Sequence, residues 1–200
     1  MKIKNNLSAE TILLSKKLFE EVADYSQNKN SESLNLIKEL LDQGADANFS
    51  VYPYYTTLSY ASSQNLVEII EIFIEKKVNI NGKFFGMWKF FDKDVGFASS
   101  SLHVAAEKNF YPLAELLVKN NANLNCDVNS KLSPLHIAIS KQSVEIVKLL
   151  IDYKANLTEK DYCHEKDAHE WAREARNEDI VSYITQVATS GEIINEIPSD

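Results

Sequence analysis

Cysteine is scarce in this chain, because Cys126 and Cys163 are the only two among 200 residues. Two thiols cannot build the disulfide framework that small secreted domains use, so we expect a reducing compartment and a cytoplasmic location. Long apolar runs are also missing, and none approaches the roughly 18–20 residues of a membrane span. Glu10, Thr11 and Ser15 interrupt the N-terminal segment, which therefore lacks the apolar core of a signal peptide. We expect neither a secretory signal nor contact with a membrane.

An excess of basic residues is absent as well. The formal net charge is −8, and the segment 159–200 contributes most of it. A nucleic-acid-binding protein normally carries a basic face, so we expect no nucleic acid partner. The acidic residues at the start of this segment are interpreted as a solvated surface or, alternatively, as a patch that steers a basic partner: Glu159, Asp161, Glu165, Asp167 and Glu170.

Patterns that indicate a metal site or a catalytic site are lacking. Cys163 and His164 are adjacent, and the chain has neither the C-x₂-C nor the H-x₃-H spacing of zinc sites. No glycine-rich phosphate loop, nucleophile elbow or paired-carboxylate arrangement is recognisable. We therefore predict a protein with no catalytic residues, no metal and no cofactor.

What the sequence does contain is a short segment that recurs at a nearly fixed spacing. Residues 133–138 read Ser-Pro-Leu-His-Ile-Ala, and degraded copies lie at 101–106 and 56–61. Each copy precedes an apolar run with helical spacing and then a tag such as Asn-Ala-Asn-Leu-Asn at 121–125. A further tag, at 44–48, precedes the first copy. The four tags end at residues 48, 81, 125 and 158, which are separated by 33, 44 and 33 residues. Several independent positions that recur in phase indicate a repeat protein.

The period of 33 residues, the turn similar to Thr-Pro-Leu-His and the two helical runs of each unit resemble the ankyrin repeat. The resemblance implies an all-α helical repeat solenoid with projecting finger loops. Stacked repeats share one continuous core, and more polar end repeats cap it. We predict an ankyrin-repeat domain over 1–189 and a flexible acidic tail over 190–200. The predicted repeats are 11–48, 49–81, 82–125, 126–158 and 159–189.

The turn between the two helices departs from the family pattern. Ankyrin repeats usually have a glycine in the left-handed conformation there, and this chain has Asn65, Asn109, Gln142 and Arg176. Asparagine tolerates that conformation at modest cost, whereas glutamine and arginine tolerate it less well. We therefore expect a scaffold less stable than a consensus array.

The histidines fit the family pattern. By resemblance, His103 and His136 occupy the motif position whose imidazole forms hydrogen bonds within the turn. Glu170 occupies the equivalent position of the fifth repeat, and His169 precedes it. We assign these histidines a structural role.

The spacing of 44 residues reveals an insertion between the second and third repeats, at 82–97. This insertion and the preceding loop at 49–55 together hold half of the aromatic residues of the chain. In the ankyrin arrangement the two loops project side by side. Exposed aromatic clusters are typical of interface hot spots, because they bury a large area at a low entropic cost. We predict a partner-binding surface formed by Tyr52, Tyr54, Tyr55, Phe84, Phe85, Trp88, Phe90 and Phe91.

Two other interpretations of the insertion stay open. The loop could fold back and bury its own phenylalanines on the helices, which applies to Phe84, Phe85, Phe90 and Phe91. A remote alternative is an enzyme site within the insertion. Its ionisable residues include neither histidine nor cysteine, the groups best suited to acid–base catalysis near neutral pH: Lys83, Lys89, Asp92, Lys93 and Asp94.

The resemblance implies a non-catalytic interaction scaffold, expected as a monomer, that binds a protein partner through its finger loops and concave face. One hypothesis makes it a bacterial effector that is secreted into a host cell, because abundant Asn, Lys and Ile are typical of AT-rich genomes. The alternative is an inhibitor or immunity-type protein that occludes a partner enzyme.

Overall fold

The computed structural model describes residues 7–52, 55–90, 93–125, 132–162 and 164–190. This described part contains ten helices and four short strands. The chain groups into two compact units, one ending at Ala105 and the other beginning at Ala106. The boundary therefore falls inside a helix. The predicted tail lies outside the described residues from residue 191 onward.

The first unit contains four complete helices, two β-hairpins and the beginning of a fifth helix. α1 packs against α2 and α3, α3 packs against α4, and β1 lies beside α1. The elements are α1 (Ala9–Asn28), α2 (Ser31–Asp42), β1 (Ser50–Tyr52), β2 (Tyr55–Thr56), α3 (Thr57–Ser63), α4 (Val67–Glu75), β3 (Phe84–Phe90), β4 (Lys93–Ser99) and α5 (Ser101–Lys108).

The second unit continues from α5 and consists of helices in its described part. α7 packs against α8 and α9, and α8 also packs against α6 and α10. The elements are α6 (Tyr111–Lys119), α7 (Pro134–Ser140), α8 (Val144–Asp152), α9 (Ala168–Ala175) and α10 (Glu178–Ser190). The helices fall in consecutive pairs, as the repeat pattern predicts, whereas the exact repeat boundaries stay a prediction.

The recurring motif forms a reciprocal cap at the start of the first helix of a pair. In α7 the backbone N–H of Ser133 donates to Nδ1 of His136 at 3.2 Å, and the N–H of His136 donates back to Ser133 Oγ at 3.3 Å. Thr56 and Ser59 make the same exchange at α3, as do Asp167 and Glu170 at α9. These contacts satisfy donors that a helix N-terminus leaves unpaired, which explains why the motif recurs.

The left-handed turns lie where the spacing predicts them. Asn65, Asn109, Gln142 and Arg176 have φ of 54°, 54°, 56° and 53°. A second left-handed set follows the second helix of each of four pairs, at Gly44, Lys77, Asn121 and Lys154. Only one of these eight positions is a glycine, so the fold adopts a glycine-favouring conformation with residues that tolerate it less well.

Each unit has its own apolar core. In the first unit, α4 contributes Ile69, Ile70 and Phe73, all of which are fully buried. In the second unit, α7 contributes Leu135, Ile137 and Ile139, and α8 contributes Ile146, Val147 and Leu150. The apolar positions recur three and four residues apart, which turns one stripe of each helix toward the core.

Thr57 offers a test of the capping geometry, because it occupies the position that proline holds in α7. Its hydroxyl is buried without a hydrogen-bond partner among the described residues, and the preceding residue Thr56 is extended, at φ −98° and ψ 162°. Proline is favoured at the first position of a helix and requires an extended residue before it. We expect Thr57→Pro to raise the free energy of unfolding by about 1 kcal/mol, as measured by urea denaturation. Lys17→Pro, at an exposed position in the interior of α1, is the destabilising control, because proline there removes a helical hydrogen bond.

Candidate protein-binding site

The first finger is a short hairpin that carries two of the predicted contact residues. β1 pairs with β2, with Ser50 opposite Thr56 and Tyr52 opposite Tyr55. Tyr55 is 51% exposed, which fits a residue available to a partner. Tyr54 lies outside the described residues. The backbones of Tyr52 and Tyr55 therefore oppose each other at the tip of the finger.

The inserted segment is a regular β-hairpin rather than the loop that we expected. β3 pairs with β4 from Phe84 opposite Ser99 to Phe90 opposite Lys93, without a change of register. In this register Phe85 pairs with Ala98, Trp88 with Val95 and Phe90 with Lys93. Phe91 lies outside the described residues. Strands of seven residues extend about 20 Å, so the insertion is a long ribbon.

The base of the hairpin is held in the first unit by buried residues. Phe84 is 9% exposed and Ser99 is fully buried, so the first strand pair belongs to the core. This placement corrects the assignment of Phe84 to the contact surface, because a buried ring is not available to a partner. For Phe84, the structure agrees with the alternative interpretation that the insertion buries its own phenylalanines.

The tags before the fingers form a series of local turns. In each, an asparagine or aspartate oxygen accepts the backbone N–H two residues on, as from Asn48 to Asp46 at 2.8 Å and from Asn81 to Asn79 at 3.0 Å. Neighbouring tags are also joined, because Asn48 Nδ2 donates to the carbonyl of Asn79 at 3.1 Å. Gly82 completes this contact, since a Cβ there would lie 1.6 Å from Asn48 Oδ1. The two finger bases are therefore fixed to each other, and β2 lies beside β3.

The acidic segment after α8 contains a buried carboxylate, which the interpretation as a solvated surface did not predict. Asp161 is 1% exposed. Its Oδ1 accepts the N–H of His164 at 2.7 Å, and its Oδ2 accepts the N–H of Lys166 at 3.1 Å and Nε1–H of Trp171 at 2.9 Å. Asp161 thus closes the turn between α8 and α9 and fixes it to the core. Glu159, Glu165 and Glu170 remain at or near the surface, as predicted.

The predicted structural role of the motif histidines agrees with their contacts. His103 is 3% exposed and its Nδ1 accepts the N–H of Ser100 at 3.2 Å. His136 is 1% exposed, and its ring packs at 6.1 Å from the ring of Trp171. Because Nδ1 accepts a hydrogen bond, the neutral ring carries its proton on Nε2. Burial lowers the pKa of His136, while Asp161, the backbone of Glu159 and Asp167 act in the opposite direction.

The lowered pKa of His136 predicts a loss of stability in acid. The unfolded chain takes up a proton near pH 6.5, the ordinary value, whereas the folded protein resists protonation at this site. The contribution is therefore present above about pH 6.5 and is lost as the pH falls through the lowered pKa of the folded state. We expect the urea midpoint to decrease between about pH 8 and pH 5 more steeply than in His136→Gln. Glutamine keeps the capping hydrogen bond but cannot titrate. Equal slopes for the two proteins would contradict this assignment.

An acidic groove between α2 and α4 was not predicted. Its walls are formed by Glu32, Glu68, Glu71 and Glu75, with Leu34 and Ile72 at its apolar side. Lys38 pairs with Glu75 at 3.2 Å. The only signal in the sequence is the three- and four-residue spacing of the glutamates in α4, which places them on one helix face.

Metal binding finds no support in the described part of the chain, where no group of three or more potential ligands lies together. His164 contacts Asp161 and the edge of Trp171, and Cys126 and Cys163 lie outside the described residues. Tyr162 was not predicted to be a contact residue, and it is 81% exposed beside the turn that Asp161 closes.

Comparison with known proteins identifies the class to which this arrangement belongs. The family model described as ankyrin repeats (3 copies) matches residues 25–125, 83–161 and 102–193. The chain therefore belongs to the ankyrin-repeat family, a class of helical repeat scaffolds that generally mediate protein–protein interaction. A search of curated proteins found no match. Within the part of the chain that the structure describes, no helix has both the length and the apolar character needed to cross a bilayer.

Proposed function

We propose that this chain is a non-catalytic scaffold that binds a protein partner through its two aromatic fingers. The contact surface is formed by the β1–β2 finger with Tyr52, Tyr54 and Tyr55, and by the β3–β4 hairpin with Phe85, Trp88, Phe90 and Phe91. The observation that carries the proposal is the inserted hairpin, a long ribbon rich in aromatic residues that the repeat scaffold itself does not require. Aromatic residues in such a position are typical of binding hot spots.

The coupling of the two fingers supports a single surface. Asn48 and Asn79 join the finger bases, Gly82 allows their close contact, and β2 lies beside β3. A rigid base lowers the entropy lost on binding, because the fingers need not be ordered by the partner. The exposed ring of Tyr55 extends the surface from the hairpin to the first finger.

The role that we propose in the cell is based on the amino-acid composition of the chain. A host-directed effector and an inhibitor of a partner enzyme would both use such a surface. We favour the effector, acting in the cytoplasm of the host, because the abundance of Asn, Lys and Ile fits an AT-rich bacterial genome.

Trp88 is expected to contribute most to binding. The partner is first isolated by affinity capture with the intact chain and with a variant lacking 83–96. Trp88→Ala is then expected to weaken binding by about 2 kcal/mol or more, which is roughly 30-fold in Kd, because a few aromatic anchors dominate interfaces. Titration calorimetry measures the affinity, and thermal melting of the free protein tests the scaffold.

Tyr153→Ala is the matched control, since Tyr153 is an exposed aromatic residue at the end of α8. Its removal should leave the affinity unchanged. If Trp88→Ala unfolds the protein, the hairpin is part of the core. If Trp88→Ala changes neither affinity nor melting temperature, the contact surface lies elsewhere. The next candidate is the predicted concave face, which includes α5 and α7 around 103–108 and 136–141.

A further inference from the structure

The β3–β4 hairpin has an edge that no further strand of its sheet pairs in the described part of the chain. The sheet contains these two strands alone among the described residues. A two-stranded ribbon is marginally stable in water, and its outer edges present N–H and C=O groups that no strand of the sheet pairs. β2 lies beside β3. Within the described ranges, no strand is paired with the outer edge of β4.

This edge lacks the features that usually prevent strand pairing. Natural edge strands are blocked by lysines, prolines or bulges. The β3–β4 register runs without a shift through all seven pairs, so no bulge interrupts it. Charged residues occur only next to the turn, at Lys93 and Asp94, and the segment 95–99 contains neither charge nor proline. An unprotected regular edge of this kind is suited to receive another strand.

We propose that β4 binds an extended segment of the partner by strand addition, as the third strand of the hairpin sheet. The inference rests on the proposed function and specifies how the same site recognises its partner. Backbone hydrogen bonds along Val95–Ser99 provide the affinity, because half of the N–H and C=O groups of β4 point away from β3.

The register defines the side chains that the added segment should carry. Gly96 and Ala98 are two positions apart in β4, where they pair with Met87 and Phe85. Both are small, so a neighbouring strand can place bulky apolar residues beside them, an arrangement that stabilises glycine within a sheet. The occupant is therefore an extended segment with large apolar residues at alternate positions. The added segment needs no net charge, because the charges of Lys93 and Asp94 on β4 cancel.

A synthetic peptide tests this mode of binding directly. The probe alternates phenylalanine and threonine and has a lysine at each end for solubility. In the free protein, amide hydrogen exchange followed by NMR should show slow and fast amides alternating along β4. Adding the peptide should slow the fast set. N-methylation of every second peptide amide should weaken binding by about tenfold or more in one of the two possible phases and leave it nearly unchanged in the other phase.

Gly96→Lys is the matched variant of the protein, because it places a charge on the proposed edge. This substitution should raise the Kd of the peptide by about tenfold, while the NMR spectrum of the remaining domain is unchanged. Equal sensitivity to both N-methylation phases, or an unchanged exchange of β4 amides, would overturn strand addition. Slow exchange of every β4 amide in the free protein would do the same, because the edge would then already be occupied. If Trp88→Ala still weakens binding of the protein partner in these cases, the proposed function stands and strand addition alone is rejected.

Discussion

Replacing Leu135 by alanine is expected to lower the free energy of unfolding by about 2–5 kcal/mol, which combines the lost transfer energy of the side chain with the cavity that it leaves. Leu135 follows Pro134 at the start of α7 and is 1% exposed. α7 packs against both α8 and α9, so the surrounding side chains are fixed from two sides and cannot readily collapse into the cavity.

The measurement should report on the second unit. Trp171 is buried there, and its fluorescence follows the unfolding of this part of the chain in urea. A Trp88→Phe background removes the only other tryptophan. Tyr153→Ala is the control in the same unit, because Tyr153 is 43% exposed and its removal should change stability by no more than about 0.5 kcal/mol. An unchanged urea midpoint for Leu135→Ala would show that the core of α7 is misassigned.

The helices and their turns could be predicted because their signals are local and recur. An apolar residue every three or four positions specifies a helix face, and a motif in phase with it specifies where the helix begins. The left-handed residue at Gln142 was predicted from its place in the period, although glutamine rarely adopts that conformation. Repetition therefore supplied the information that the residue type alone does not contain.

The hairpin and the buried aspartate could not be predicted in the same way. Apolar residues occur on both faces of β3, so the alternation that indicates a half-buried strand is absent, and Gly86 and Gly96 further weaken the strand signal. In the sequence, no feature distinguishes Asp161 from the acidic residues around it. Its role depends on Trp171, ten residues away in α9, whose indole N–H donates to the carboxylate. Non-local contacts of this kind leave no periodic trace.

Asp161→Ala is expected to be as damaging as the loss of a core side chain. The carboxylate accepts hydrogen bonds from the N–H groups of His164 and Lys166 and from the indole of Trp171. Without it, each buried donor that finds no other acceptor costs about 1–3 kcal/mol. The indole is the most deeply buried of the three, whereas water can reach the two backbone donors more readily. We therefore expect a loss of about 3 kcal/mol or more, together with faster amide exchange at residues 164–166.

A double-mutant cycle separates this network from a general effect of removing a buried charge. Trp171→Phe keeps the aromatic ring and removes the indole N–H, so the donor that Asp161 satisfies in the core is no longer present. The effect of Asp161→Ala should therefore be smaller in the Trp171→Phe background than in the parent, by about 1 kcal/mol or more. Asp161→Asn, which keeps one acceptor oxygen, should fall between the parent and alanine. Strict additivity of the two changes would mean that the carboxylate stabilises the turn through the backbone alone and that the bond to Trp171 contributes nothing.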